Sequence, residues 1–182
     1  MRPRDDSKLM QDLAAGDRQA LQELYERHAE RVFRTAFRFL HDKDEARDIT
    51  QSVFVTIMQS AGRYRPEARL TTWIYRIVVN RCLDHRAGAD RRMRTVLTDR
   101  EIEQIPASEA DRPDRIAQRA EQRAQLLAAI RELPKRQRLA LILRRFEEQS
   151  YDEIAVALGC SRKSLESLLV RAREALARHF SK

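Results

Sequence analysis

Apolar residues recur every three to four positions along most of the chain, which is the spacing at which side chains share one face of an α-helix. The strict alternation that predicts β-strands is absent, and only four glycines and five prolines occur in 182 residues. The pattern therefore predicts an all-α protein. The predicted helices cover residues 5–15, 18–40, 42–60, 72–86, 116–133, 134–146, 150–158 and 161–180.

The helical period is lost between Gly88 and Arg119, where apolar residues are sparse, two prolines occur and charges of both signs alternate. This composition is typical of a flexible linker. Its roughly 32 residues can span up to ~100 Å if they extend at ~3.3 Å each. We therefore predict two small helical domains, 1–88 and 120–182, which are joined by a flexible linker over 89–119. The C-terminal domain is predicted to have four helices.

The last two predicted helices meet in a short turn. Ser150 and Glu153 have the spacing of a capping box, in which each side chain satisfies a backbone N–H group of the other residue. Gly159 can end this helix in the left-handed conformation, and Ser161 can cap the next one. A turn of about three residues between two helices is the arrangement of a helix-turn-helix motif.

The final helix has two unlike sides. Its apolar stripe consists of Leu165, Leu168, Leu169, Ala172 and Leu176. The first turn and the remaining faces carry Arg162, Lys163, Ser164, Glu166, Ser167, Val170 and Arg171. Such a polar, basic side suits a recognition helix that contacts base edges and phosphates. An ordinary helical hairpin with a solvated basic face has the same pattern, so the motif alone does not decide.

An acidic and polar ridge runs along the helix predicted over 42–60. It consists of Asp44, Asp48, Gln51 and Val55, which lie opposite the apolar stripe of that helix. Phe54 and Met58 give the ridge apolar neighbours. The ridge is therefore either a solvated helix face or a surface for a protein partner.

A basic loop over residues 62–70 follows this ridge, and the next helix carries aromatic residues among cationic ones. The residues concerned are Arg63, Tyr64, Arg65, Arg69, Trp73, Arg76 and Asn80. Aromatic rings stack on unpaired bases, and arginines neutralise the phosphates. Alternatively Trp73 and Tyr75 belong to the core, which is the reading we favour for Trp73.

Charge and composition narrow the choice of function. The formal net charge is +8, and residues 121–182 hold 13 basic against 8 acidic residues, so the excess lies with the helix-turn-helix. Cys82 and Cys160 form no disulfide framework, and no apolar run is long enough to span a membrane, so we expect a cytoplasmic protein without direct membrane insertion. Cys82 and His85 are only two ligands, and no catalytic motif occurs. We expect no metal, no cofactor, no small-molecule substrate and no enzymatic activity.

Three segments, taken together, resemble the extracytoplasmic-function (ECF) class of sigma factors in the bacterial sigma-70 family. They are EARDITQSVF (45–54), TWIYRIVVNRCLDHR (72–86) and LPKRQRLALILRRFEEQSYDEIAVALGCSRKSLESLLVRAR (133–173). The similarity covers about 1–88 and 120–180, as region 2 and region 4 of the family. The chain departs from the family on the recognition helix. The family commonly has glycine, then lysine and arginine there, and this chain has Lys163, Glu166 and Leu168.

The resemblance implies a transcription initiation factor that binds core RNA polymerase and promoter DNA and is held inactive by an anti-sigma factor. It assigns polymerase binding to Asp44, Asp48, Gln51, Phe54 and Val55. It assigns recognition of the minus-10 element, which melts during initiation, to Arg63, Tyr64, Arg65, Arg69, Trp73, Arg76 and Asn80. It assigns the minus-35 element to Arg162, Lys163, Ser164, Glu166, Ser167 and Arg171. The two elements then lie roughly 85 Å apart at ~3.4 Å per base pair.

Two other functions fit the residues. A stand-alone helix-turn-helix regulator would bind operator DNA as a dimer without polymerase and would not need the ridge. A helical adaptor would bind only proteins, and its activity would not depend on Arg162 or Arg171.

Overall fold

A computed structural model describes residues 4–66, 69–85, 125–147 and 149–181 of the chain. All regular structure within these ranges is helical, as the apolar period predicts. The helices form the two predicted domains. The predicted linker over 89–119 lies outside the described residues.

The N-terminal domain is built around one long central helix. Its helices are α1 (Asp6–Ala14), α2 (Arg18–Leu40), α3 (Lys43–Ser60) and α4 (Leu70–Asp84), with a 3₁₀ turn over Ala61–Arg63. The buried stripe of α2 includes Leu24, Val32, Ala36 and Phe39, which pack against the other helices. The 18–40 span predicted from the sequence is confirmed at both ends because Asp17 caps the helix and His41 ends it in the left-handed conformation.

The C-terminal domain contains α5, whose described residues are 125–132, followed by α6 (Lys135–Phe146), α7 (Tyr151–Leu158) and α8 (Arg162–Phe180). Helices α6, α7 and α8 pack on one another around Leu139, Leu143, Ile154, Leu165 and Leu169, all buried. The stripe predicted for α8 therefore faces its own domain, although Leu168 and Leu176 at its margins are only partly buried.

The capping predictions for the helix-turn-helix are confirmed. The Ser150 hydroxyl accepts a hydrogen bond from the Glu153 N–H, and the Glu153 carboxylate accepts one from the Ser150 N–H at 2.8 Å. Gly159 ends α7 with φ of 59°, and Ser161 caps α8 by accepting from the Ser164 N–H. These local bonds fix the angle at which α8 leaves the turn.

The starts of two other helices differ from the predictions. Helix α4 begins at Leu70, after Arg69, two residues before the predicted start at residue 72, and Thr72 is buried within its first turn. Pro134, the first residue of the helix predicted over 134–146, stands at the N-cap of α6. At α3 the Asp42 side chain caps the helix, and the Glu45 carboxylate of the first turn lies 3.0 Å from His85 Nε2.

The two domains are in direct contact. Helix α4 packs against α7, and α2 packs against α6, so the buried apolar residues of both domains form one continuous core. Arg138 of α6 donates a 3.0 Å hydrogen bond to the Phe39 carbonyl and lies over the Phe39 ring. The C-terminal domain is thereby held against one side of α2 and α4.

Candidate nucleic-acid and partner interfaces

The acidic ridge is exposed on the outer side of α3. Asp44, Asp48, Gln51 and Val55 all face solvent, and nearly half of the Val55 side chain is accessible. Asp44 lies in the first turn, where a carboxylate interacts favourably with the helix dipole. Its carboxylate also accepts a 2.9 Å hydrogen bond from Arg47. The ridge therefore presents negative charge at one end of the helix and an apolar side chain towards the other.

Phe54 is not part of this exposed surface, contrary to its place among the candidate contacts. It is 5% exposed because its ring points into the domain, where it packs against the Tyr25 ring at a centroid distance of 4.7 Å. The exposed apolar neighbours of the ridge are instead Tyr25 and Met58, each about half accessible. Sequence reasoning missed Tyr25 because its spacing places it within the broad apolar face of α2.

The basic loop is joined to α4 by an aromatic pair. The Tyr64 ring lies edge-on to the Trp73 ring, with centroids 5.5 Å apart. Both rings are partly buried against the core of the domain. Trp73 therefore supports the loop while part of its ring remains accessible, so it combines the core and surface roles that the sequence left open.

The other five predicted residues of the loop and of α4 have exposed polar side chains. Arg63, Arg65 and Arg69 of the loop are exposed, as are Arg76 and Asn80 on α4. Residues 67 and 68 lie outside the described part of the loop. Because five of the seven predicted residues are exposed around two partly accessible rings, this face has the cationic and stacking groups that unpaired bases require.

The polar side of α8 is open to solvent along its first three turns. All six predicted residues are exposed: Arg162, Lys163, Ser164, Glu166, Ser167 and Arg171. Val170 between them is also about half accessible. A helix that exposes both cationic and small polar groups at its N-terminal end has the features of a major-groove reader.

Two carboxylates hold Arg162 at the start of α8. Its guanidinium lies 3.4 Å from Asp152 of α7 and 3.4 Å from Glu166, one turn further along α8. All three side chains are largely exposed, so these ion pairs contribute little to stability. Glu166 is thus placed to orient Arg162.

Cys82 of α4 and His85, which directly follows α4, lie in different surroundings. Cys82 is fully buried, and burial raises the pKa of its thiol to about 12. His85 pairs with Glu45. Among the described residues no cluster of three or more potential metal ligands occurs, and no described helix is long and apolar enough to cross a membrane.

One polar cluster was not predicted from the sequence. The Glu147 carboxylate, after α6, is buried against Thr35, Arg38 and Tyr75 of the N-terminal domain. No local pattern marks Glu147, because its partners are 72 to 112 residues away in the chain. A lone tyrosine in the apolar α4 is the only signal that a buried hydroxyl needs a partner.

Two family models match the chain, "Sigma-70 region 2" over residues 24–92 and "Sigma-70, region 4" over residues 123–176. RNA polymerase sigma-H factor of Pseudomonas aeruginosa is 31% identical over 176 residues, which cover 94% of this chain and 91% of that protein. ECF RNA polymerase sigma factor SigM of Mycobacterium tuberculosis is 31% identical over 175 residues, covering 96% and 84%. The fold is similar to that of the sigma factor RpoE in a complex with the anti-sigma factor NepR from Bartonella quintana, with a TM-score of 0.60, 18% identity and coverage of 88% and 96%.

Proposed function

The chain belongs to the sigma-70 family, in its extracytoplasmic-function class, and from that premise we propose that it binds core RNA polymerase and directs it to promoters with defined minus-10 and minus-35 elements. It adds no catalytic group, since the polymerase forms the phosphodiester bonds. Its place of action is the cytoplasm, where polymerase and DNA meet.

The observation that carries this proposal is that three separate surfaces are exposed in one chain. The acidic ridge of α3 combines carboxylates with the apolar side chains of Val55, Tyr25 and Met58, which suits a protein partner. The face around Trp73 suits unpaired bases, and the polar side of α8 suits duplex DNA. A stand-alone regulator needs only the third surface.

Each surface then has its own ligand. The ridge, with Asp48 at its centre, binds core polymerase, and Phe54 supports it from beneath through the Tyr25 ring. Trp73, Arg76 and Asn80 hold bases of the minus-10 element as it melts. The exposed residues of α8 read the minus-35 element in the major groove.

An anti-sigma factor is the further partner that we propose. The support is that RpoE, which shares the fold, was solved with such a protein. An inhibitor must cover at least one of the three surfaces. The half-exposed side chains of Val55 and Met58 on α3 offer it the apolar contacts that a stable complex needs.

Binding of labelled duplex DNA with and without core polymerase tests the proposal against the operator-binding alternative. The chain alone is expected to retain a two-element promoter weakly, and the chain with core polymerase to retain it specifically against excess competitor DNA. A dimeric chain that binds the duplex tightly by itself, with no further gain from polymerase, would contradict the proposal. Promoters that lack either element serve as matched controls.

A further inference from the structure

The Glu147 side chain is the centre of the contact between the two domains. It is 4% exposed, although it belongs to the connection between α6 and α7. Its Oε2 atom accepts a 2.5 Å hydrogen bond from the Tyr75 hydroxyl of α4. Its Oε1 atom accepts a 2.9 Å bond from Arg38 Nη1 of α2 and lies 3.0 Å from the Thr35 hydroxyl. We call these four residues the interdomain latch.

The buried Glu147 carboxylate is compensated by nearby cations as well as by hydrogen bonds. Arg31 lies 3.7 Å from the second carboxylate oxygen, so two guanidiniums face one buried carboxylate. Burial, together with the charge and hydrogen bond of Glu147, raises the pKa of the Tyr75 hydroxyl, which therefore stays protonated as the donor. Removing one partner of such a buried group leaves the others without compensation, which is costly.

Every hydrogen bond and ion pair of the Glu147 side chain within the described part of the chain goes to α2 or α4. The bond that Glu147 makes to Gln149 in its own domain uses the backbone carbonyl. The carboxylate therefore contributes little to the fold of the C-terminal domain. Its partners instead favour one arrangement of the two domains.

Three further contacts support the same arrangement. Arg138 bonds the Phe39 carbonyl, Lys135 Nζ donates to the His85 carbonyl at 3.1 Å, and Arg38 lies over the Phe146 ring at 4.6 Å. In addition Arg69, one of the candidate minus-10 residues, lies 3.7 Å from Glu153 of α7. Arg69 stays largely exposed, so this pair contributes little to the docking.

The docked arrangement is too small to contact both promoter elements together. A compact chain of this length has a radius of gyration of ~16 Å and hence a diameter of about 40 Å. The elements lie roughly 85 Å apart at ~3.4 Å per base pair. The domains must therefore separate before α8 and the face around Trp73 engage one promoter, a step that rests on the proposed function.

We propose that the interdomain latch holds the free chain in a closed, inactive state, and that core polymerase and promoter DNA bind its opened form. The apparent affinity for polymerase and promoter then equals the affinity of the open form multiplied by the fraction of molecules that are open. Substitutions that break the latch are expected to raise that affinity. In the closed state the C-terminal domain of the same chain thus covers the face formed by α2 and α4.

Small-angle scattering of the full-length chain without polymerase tests the closed state. Tyr75→Phe removes only the hydroxyl and keeps the ring volume, and Glu147→Gln removes only the charge. Glu132→Gln is the matched control, because Glu132 is an exposed carboxylate of the same domain. Circular dichroism and molar mass confirm that each variant is helical and monomeric.

We expect the wild type and Glu132→Gln to have the same small radius of gyration, and both latch variants to have a larger one. The double variant Tyr75→Phe/Glu147→Gln is expected to increase the radius of gyration by less than the sum of the two single increases, because the two residues share one hydrogen bond. An extended wild type, or latch variants as compact as Glu132→Gln, would overturn the closed state.

The second arm measures the affinity of each variant for core polymerase on a two-element promoter. Latch variants are expected to bind about three- to tenfold more tightly than the wild type, and Glu132→Gln equally. Unchanged or weaker binding by opened variants would overturn the inhibitory role. The scattering experiment needs no polymerase, so it tests the closed state independently of the proposed function. If the latch variants expand but no variant shows promoter-specific activity, the proposed function is refuted and the closed state is not.

Discussion

The Tyr75 hydroxyl on α4 donates a 2.5 Å hydrogen bond to the Glu147 carboxylate, which lies 72 residues further along the chain and in the other domain. Both groups are buried, so neither can exchange this bond for water while the domains remain docked. The two domains should therefore support each other's stability.

Loss of the Tyr75 hydroxyl should lower the free energy of unfolding. A hydrogen bond to a charged group contributes about 1.5–3 kcal/mol, so we expect Tyr75→Phe to cost about 1.5 kcal/mol because Arg38 and Thr35 still contact Glu147. Urea unfolding followed by circular dichroism measures the change. Tyr25→Phe removes the hydroxyl of a half-exposed tyrosine and should change the stability by less than ~0.5 kcal/mol; equal losses for the two variants would contradict the buried bond.

Charge reversal on the acidic ridge should weaken polymerase binding strongly. Asp48 is exposed, so Asp48→Arg should leave the helicity intact while weakening binding to core polymerase at least tenfold, about 1.4 kcal/mol. Fluorescence titration with core polymerase measures the affinity. Glu30→Arg makes the same charge change at an exposed position of α2 and should bind normally. If the two variants bind alike, the partner face is wrong.

Truncation of Arg171 should affect only promoters that contain a minus-35 element. Arg171 is exposed on the polar side of α8, and loss of one arginine contact to DNA costs about 1–3 kcal/mol. Filter binding of the complete complex of chain and core polymerase measures this on templates with and without the element. Arg178→Ala, near the end of the same helix, is the control. Equal effects of Arg171→Ala on both templates would argue against sequence readout by α8.

Acidification should destabilise the chain through His41. Burial, with Arg131 and Arg138 nearby, lowers the pKa of His41 to about 3, below the ordinary value of 6.5. Below pH 6.5 the unfolded chain therefore binds a proton that the folded chain excludes. The stabilisation is complete above pH 6.5 and is lost as the pH falls towards 3, by up to about 2 kcal/mol between pH 7 and pH 5.

The substitution His41→Asn isolates this effect. His41 has φ of 58°, and asparagine tolerates that left-handed conformation while it removes the titration. Unfolding by urea at pH 7, 6 and 5 should show a smaller loss of stability for the variant than for the wild type. Parallel pH curves for the two proteins would show that His41 does not titrate as described.

The sequence predicted most of the fold because the helices are amphipathic and their caps are local. Asp17, Ser150, Gly159 and Ser161 each act on the nearest turn of the backbone, so their roles follow from spacing alone. The predicted start of α4 was wrong because Arg69 provides no side-chain cap, so no local capping signal marks Leu70 as the first helical residue.

The candidate surfaces on α3 and α8 were also predictable because each lies on one face of an amphipathic helix. Two features, the burial of Phe54 and the latch, were not predictable. Opposite faces of α3 and α8 follow from helical geometry, and their polar members are exposed. The burial of Phe54 depends on the Tyr25 ring of another helix. The latch depends on Glu147 meeting residues of α2 and α4 after the domains dock. Contacts across such distances leave no periodic trace in a single sequence.

Transcription by purified core polymerase tests the central claim most directly. Templates are DNA fragments with candidate promoters, including the region upstream of the gene for this chain, and core polymerase alone is the baseline. The chain is predicted to produce a transcript from a defined start site, which disappears with Asp48→Arg and persists with Glu30→Arg. The absence of any start-specific transcript above the baseline, from a chain that is folded and helical, would contradict the assignment as an initiation factor.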